Sequence, residues 1–326
     1  MPALSARRRS AVLLTVCLAA FAITLDGTIV NVALPALGRQ LHAGTSTLQW
    51  VVDGYNLAFA TLVLAGGAVG DRLGRRPVLV VGLLGFAGAS LAAATSSSAS
   101  ELVAWRFVMG AFAALIYPTT LSIITNAFPE RSERARAVGV WGAVTGLGVA
   151  VGPVTGGVLL AHFAWASVFV ALAPVAAVGA ALTLLVVPES RAAVRAPFDR
   201  AGLLVSSVGI GILVYTVIEG PSAGWLSARS LAGYAVTVLA GLVFVAIERR
   251  AADPMLDVSL FRVPAFSAAS GSVTIAFFAL YGFIFLVTQY MQLLRGWGTL
   301  STGLRILPVA AAIAVGSAVS PRVAAR

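Results

Sequence analysis

The sequence predicts an all-α integral membrane protein with about ten spanning helices, and three observations carry that prediction. Of its 326 residues, 59% are hydrophobic and only 10% are charged. Soluble domains carry about 25% charge, so a chain this poor in charge could not solvate a globular surface. Uncharged apolar runs recur along it, each near the roughly 20 residues needed to cross about 30 Å of hydrocarbon. The arginines between those runs alternate between dense and sparse connections, as they do in a polytopic protein.

The first run, 11–34, follows Arg7, Arg8 and Arg9 in the manner of a signal peptide. It continues past Asp26 to Pro35 with no small-residue cleavage site, so it is expected to remain as the first helix. Further runs lie at 48–69, 77–96, 102–125, 136–160, 164–187, 201–218, 228–247, 265–291 and 303–320. All 22 basic residues are arginine, and the net charge is +10. In a soluble protein that charge would suggest nucleic acid, but here it reports topology. One set of alternate connections and ends holds 17 arginines; the other holds Arg39, Arg229, Arg295 and Arg305, and Arg106 lies within a helix. By the positive-inside rule the dense set, with the amino terminus, is expected to be cytoplasmic.

The single cysteine, Cys17, sits in the first apolar run and excludes an internal disulfide. His42 and His162 are isolated near helix ends and read as solvated loop residues. No metal and no cofactor are expected. No serine, cysteine or histidine constellation falls at a shared membrane depth, which argues against an enzyme.

Charge within the membrane is costly and marks function by default. Asp26 on helix one, Asp53 on helix two and Arg106 on helix four are the three such residues. Asp53 follows Trp50, an interfacial anchor, so it reads equally well as a headgroup-level residue. Asp26 is deeper: a protonatable acid whose proton affinity depends on which side is open is what proton coupling requires. Arg106 keeps its proton under working conditions and suits a fixed countercharge. Asn31, Tyr55, Asn56 and Tyr117 are weaker candidates for a cavity lining, each equally able to satisfy a helix–helix contact.

Two glycine-rich stretches stand out. The first, GAVGDRLGRRP from Gly67 to Pro77, joins helices two and three. Its glycines suggest a tight turn, and Pro77 suits the first position of the next helix. A plain topogenic loop needs only arginines and leaves Asp71 and the glycine spacing unexplained. In the second stretch Gly148, Gly152 and Gly156 recur every four residues, beside a second pair, Gly142 and Gly146. Such tracks let another helix approach closely, and Pro153 bends its own helix. A dinucleotide-binding loop is excluded because no strand precedes it.

On these residues the chain resembles the major facilitator superfamily. There the loop between helices two and three reads G-x-L-A-D-R-x-G-R-[KR], matched from Gly67 to Arg76 with Val69 and Gly70 as departures. LDGTIVNVALP, Leu25 to Pro35, resembles the first-helix signature of drug:proton antiporters with fourteen spanning helices. RFVMGAFAA, Arg106 to Ala114, resembles the fourth-helix motif with Met109 for the usual glutamine. GLGVAVGPVTGG, Gly146 to Gly157, resembles the fifth-helix antiporter motif. The segment from Phe285 to Pro308 resembles the start of that subfamily's second half. Setting Gly316 against Gly66 gives a faint repeat, with Arg322 on Arg72 and Arg326 on Arg76.

The resemblance implies a major-facilitator-type helical bundle: a six-helix bundle over 1–190, an inserted helix pair over 198–260, and over 261–326 the first two helices of a second bundle. About four further helices are then expected beyond this portion. The resemblance also implies a proton-coupled antiporter that exports small lipophilic or cationic compounds by alternating access across a bacterial inner membrane, as a monomer when full length. It assigns proton coupling to Asp26 and Arg106. A cytoplasmic gate falls on Gly67, Asp71, Arg72, Gly74, Arg75 and Arg76, where Asp71 is expected to pair with an arginine of a neighbouring connection and to face a helix amino terminus. The antiporter helix carries Gly148, Gly152, Pro153, Gly156 and Gly157. Two alternatives stay open: a dedicated exporter of one self-made metabolite such as an antibiotic, and a non-transporting membrane protein.

Overall fold

In hydrocarbon a backbone N–H or C=O finds no water, so each apolar run must close its own hydrogen bonds as a helix. The computed structural model describes residues 5–191, 199–251, 254 and 256–324; Arg195, Phe198 and Arg326 lie outside them. The helices are α1 (Ala6–Gln40), α2 (Thr45–Leu73), α3 (Arg75–Ala94), α4 (Ala99–Ala127), α5 (Arg131–His162), α6 (Ser167–Val186), α7 (Arg200–Ala223), α8 (Ala228–Arg250), α9 (Pro264–Gln289) and α10 (Thr299–Ala324). Among the described residues, nine helices are long and apolar enough to cross a membrane. A 3-10 turn (Val258–Arg262) precedes α9 and a π-helical turn (Tyr290–Leu294) follows it.

Several helices outrun their apolar cores because their ends are capped. The Ser98 hydroxyl accepts the Glu101 N–H at 3.2 Å, and the Glu101 carboxylate returns to the Ser97 N–H at 2.9 Å, a reciprocal arrangement that satisfies orphan donors at the start of α4. Asp199 caps α7 by accepting the Gly202 N–H at 2.8 Å, and Ser227 caps α8. Arg9 in the first turns of α1 forms an ion pair with Glu133 in the first turn of α5. It ties two helices at the arginine-rich end.

A helix apolar on all sides belongs in the interior, and α1 is that helix, buried from Val12 to Leu37 on most of its surface. It packs along α5, α6 and α4, while α2 lies along α4 and α3 fits between α4 and α6. Helices α7 and α8 pair with each other, and α7 leans on α2 through Ser207 Oγ–H donating to the Thr61 carbonyl at 3.3 Å. On the other side α10 lies along α5, and α9 touches α1.

The glycine track of α5 sets the closest approach. A Cβ on Gly148, Gly152 or Gly156 would run into Thr24, Thr28 and Ile29 of α1 respectively. Pro153 lacks the N–H that would bond the Val149 carbonyl four residues earlier. The Thr28 hydroxyl of α1 fills that vacancy, donating to Val149 O at 2.9 Å. The proline turn of α5 is therefore stitched to α1. The second pair behaves differently from the expectation. Gly146 faces Ile313 of α10, but Gly142 meets nothing within 4 Å; Gly157 instead continues the α10 contact, against the Thr299 backbone.

The connection between α2 and α3 also differs. Gly67 and Gly70 are not turn residues: both lie inside α2, where Gly70 has room for Thr119 of α4 only because it lacks a Cβ. The turn is made by Gly74 alone, at φ 111°, a conformation that other residues rarely adopt. Pro77 is the third residue of α3 rather than its first, which is tolerated because the N–H groups of a first turn have no partner within the helix.

These contacts predict that Gly152→Val, which forces a side chain into Thr28 and the α1 backbone, destabilises the fold by on the order of 1–3 kcal/mol. Gly142→Ala, in open space, should leave stability unchanged or raise it. Thermal melting of the purified protein in detergent distinguishes the two; equal Tm values for both variants would contradict this packing.

Candidate functional site

The site is built where α1, α2 and α4 meet. Asp26 projects from α1 and Arg106 from α4, and both are almost completely buried, at 0% and 1% exposure. Arg106 Nη1 donates to both carboxylate oxygens of Asp26 at 2.7 Å. Its Nε–H donates to the Val51 carbonyl of α2 at 2.8 Å, and its guanidinium carbon lies 4.4 Å from the centre of the Tyr55 ring. Tyr55 is itself held by donating its hydroxyl to the Ile23 carbonyl of α1 at 3.2 Å. Met109, in the place of the usual glutamine, puts its sulfur 4.0 Å from Arg106 Nη1. One carboxylate and one guanidinium thus tie three helices together, with a carbonyl and an aromatic face completing the cation's surroundings.

Beside this pair lies a cavity of about 480 Å³. All five residues expected to line one do so: Asn31, Asp53, Tyr55, Asn56 and Tyr117. Asp53 is half-buried and faces the cavity, and it is the one carboxylate of the described lining. Asp26 is not part of that wall; its neighbour Gly27 and the Arg106-bound Tyr55 are. The pair sits one residue behind the cavity surface. Asn31 is 3% exposed, donates its amide to the Gly27 carbonyl at 3.4 Å, and leaves its Oδ1 without a hydrogen-bond partner among the described residues.

Sequence reasoning missed the opposite wall. Phe277, Tyr281 and Phe285 of α9 line the cavity, as do Gln49 of α2 and Thr145 of α5. The Tyr281 hydroxyl comes so close to Gly27 that a Cβ there would lie 3.4 Å from it. Nothing in the apolar run of α9 singles these residues out; only its packing on α1 brings them in. Phe59 and Tyr117 meet edge to face at 5.7 Å, and Tyr117 lies 4.9 Å from Trp141, so much of the lining is aromatic.

At the arginine-rich end, Asp71 pairs, among the described residues, with an arginine of its own connection. Its partner is Arg75, one turn on, whose Nε–H donates to Asp71 Oδ1 at 2.9 Å and whose Nη2 is 2.8 Å from the same oxygen. Arg75 Nη1 then donates to the Ser122 carbonyl of α4 at 3.1 Å. The Arg75 N–H goes to the Ser190 carbonyl at 2.9 Å, so this first donor of α3 has a partner other than Asp71. Arg76 donates to the Leu184 carbonyl near the end of α6, and Arg72 closes the last turn of α2. The short i,i+4 pair forms because Gly74 folds α3 back beside the end of α2.

A family model described as Major Facilitator Superfamily matches residues 16–326. The chain belongs to the major facilitator superfamily. Within that superfamily of multi-pass membrane transporters, which are not enzymes, it is 39% identical over 303 residues to the multidrug resistance protein Stp of Mycobacterium tuberculosis, covering 93% of this chain and 56% of Stp. It is 38% identical to the multidrug efflux pump LfrA of Mycolicibacterium smegmatis, over 88% of this chain and 56% of LfrA. It is 35% identical to the tetracenomycin C resistance and export protein of Streptomyces glaucescens, over 96% of this chain and 58% of that protein. The chain spans little more than half the length of these relatives. Two solved structures share the fold. One is a bacterial homologue of the human lysosomal transporter Spinster in an inward-facing and occupied conformation, with a TM-score of 0.52 and 18% identity over 96% of this chain and 81% of that one. The other is the peptide transporter POT in complex with sulfate, with a TM-score of 0.56 and 14% identity over 73% of this chain and 52% of that one.

Removing one partner of a buried ion pair strands the other charge, at a cost of roughly 3–5 kcal/mol. Asp26→Asn is therefore expected to lower the Tm clearly. The double variant Asp26→Asn, Arg106→Gln, which buries no net charge, should regain most of that loss. A double variant no more stable than the single one would contradict the pairing.

Proposed function

We propose that this chain carries the substrate cavity and the proton-coupling pair of a proton-driven exporter of small lipophilic or cationic compounds, working by alternating access in a bacterial inner membrane. Its amino terminus and arginine-rich connections are cytoplasmic in this reading, as the arginine distribution supports. The observation that carries the proposal is the buried Asp26–Arg106 pair, one residue behind the wall of a cavity that holds Asp53.

The coupling follows from charge. Arg106 remains cationic throughout, so the pair is neutral when Asp26 is ionised and carries one positive charge when Asp26 is protonated. A proton on Asp26 and a cation in the adjoining cavity both add positive charge to one poorly solvated volume, where such charges repel far more strongly than in water. Each therefore disfavours the other, which is exchange of one for the other. Protonation also weakens the tie that Asp26 and Arg106 make between α1 and α4. The proton state thereby biases how those helices sit.

The Asp71–Arg75 pair and its link to the Ser122 carbonyl hold α2, α3 and α4 together at the cytoplasmic end, and act in this reading as a latch that must open in the inward-facing state. This reading divides the chain into a six-helix bundle over 1–190, an inserted pair over 198–260 and the start of a second bundle over 261–326; the packing of α7 on α8 and α2, and of α9 and α10 on α1 and α5, supports it. A second reading, export of one self-made metabolite, draws support from relatives named for resistance to a single antibiotic, such as methylenomycin A. A broad panel of bound cations favours the first reading and a single ligand the second.

The test is proton release on adding tetraphenylphosphonium to detergent-solubilised protein in weak buffer. The parent should release protons; Asp26→Asn, which fixes the charge of the protonated pair, should bind the cation more weakly and release none. Release by Asp26→Asn equal to that of the parent would remove Asp26 from the coupling role.

A further inference from the structure

One short segment of α2, 49–56, serves both the cavity and the ion pair. Gln49, Asp53, Tyr55 and Asn56 line the cavity, and the Val51 carbonyl accepts the Arg106 Nε–H at 2.8 Å. Whatever fixes this segment against α4 fixes the cavity wall and the surroundings of Arg106 together. The Trp50 ring of the segment meets two others. Phe107 of α4 lies with its centre 6.2 Å away and its plane at 30°, and Tyr215 of α7 lies at 6.2 Å and 39°, both within the range of favourable aromatic pairs. Phe107 follows Arg106 in the chain, and its ring packs on α2 at Gly54, where a Cβ would lie 3.1 Å from it. Tyr215 is held in turn by Arg229 of α8, which donates to its hydroxyl and whose guanidinium carbon is 5.3 Å from the ring centre. A row of side chains, Arg229, Tyr215, Trp50 and Phe107, thus runs from the α7–α8 pair to the residue beside Arg106.

We propose that Tyr215 is a positioning residue for cation binding: through Trp50 it holds the 49–56 segment against α4, so the α7–α8 pair takes part in shaping the cavity. This rests on the reading of the cavity as the substrate site. Helix α7 is pinned to α2 on either side of the ring contact. Ser46 Oγ–H donates to Glu219 Oε1 at 3.1 Å, and Ser207 Oγ–H donates to the Thr61 carbonyl at 3.3 Å. Tyr215 is 39% exposed, so trimming it leaves no buried void, and α7 keeps both flanking contacts. What goes is the ring against Trp50, and with it a constraint on the turn that carries Asp53. The attraction of a carboxylate for a cation in a poorly solvated cavity falls steeply as the carboxylate is displaced, so cation affinity reports that constraint.

The test is the dissociation constant of tetraphenylphosphonium for the detergent-solubilised chain in the parent, Tyr215→Ala and Tyr215→Phe. Tyr215→Ala should bind about fivefold more weakly, the scale of one aromatic pair. Tyr215→Phe, which keeps the ring and loses only the bond from Arg229, should bind as the parent does. A parent-like constant in Tyr215→Ala, or a Tyr215→Phe as weak as Tyr215→Ala, overturns the proposal. Should Tyr215→Ala not be recovered folded, Tyr215→Leu, which keeps bulk without the ring, is read in its place. A double-mutant cycle with Trp50→Leu traces the route: Tyr215→Ala should add nothing to Trp50→Leu, and full additivity overturns the role of Trp50 as the intermediary. Should Trp50→Leu bind no cation, the contrast between the Tyr215 variants decides alone. If the parent binds no cation, the reading of the cavity as a substrate site fails, and this inference with it; a parent that binds, beside an unaffected Tyr215→Ala, sinks this inference alone.

Discussion

The structure depends on a single buried ion pair. Taking a carboxylate and a guanidinium out of water costs several kcal/mol per ion, and that cost is recovered only with short contacts and satisfied neighbours. Asp26 and Arg106 meet those conditions through two contacts at 2.7 Å, the Val51 carbonyl and the Tyr55 ring. The arrangement fixes the positions of α1, α2 and α4 relative to one another.

Around this pair the helices divide between close fit and open space. Glycines and a proline bring α5 against α1, and Thr28 makes good the hydrogen bond that Pro153 removes. Gly157 and Gly303 do the same between α5 and α10, where Thr299 Oγ1–H donates to the Gly157 carbonyl at 3.3 Å. Where α9 meets α1, Phe277, Tyr281 and Phe285 line the cavity instead.

Much of this was legible in the sequence because charge is so expensive in hydrocarbon that its placement is informative. Asp26, Arg106 and Asp53 stood out on that ground, and the structure joins the first two and puts the third on the cavity wall. The helices were legible from length and hydropathy; their ends were less so, because residues such as Arg7 to Arg9 extend a helix beyond its apolar core. The motif glycines misled. A glycine can make a turn or a close helix contact, and only Gly74 makes the turn, whereas Gly70 gives room to Thr119. The Asp71–Arg75 contact was not foreseen: the fold back at Gly74 brings Arg75 beside Asp71, and no spacing rule shows that. Phe277, Tyr281 and Phe285 were invisible, since an aromatic residue in an apolar helix reads the same whether it faces lipid or a cavity.

The central claim is that Asp26 gains and loses the proton that opposes a bound cation. Infrared difference spectroscopy of the purified protein, with and without a lipophilic cation, reads that proton directly. The account predicts a protonated-carboxyl band that disappears when the cation binds and is missing from Asp26→Asn. The same band persisting in Asp26→Asn, or no carboxyl change on binding in the parent, would contradict it.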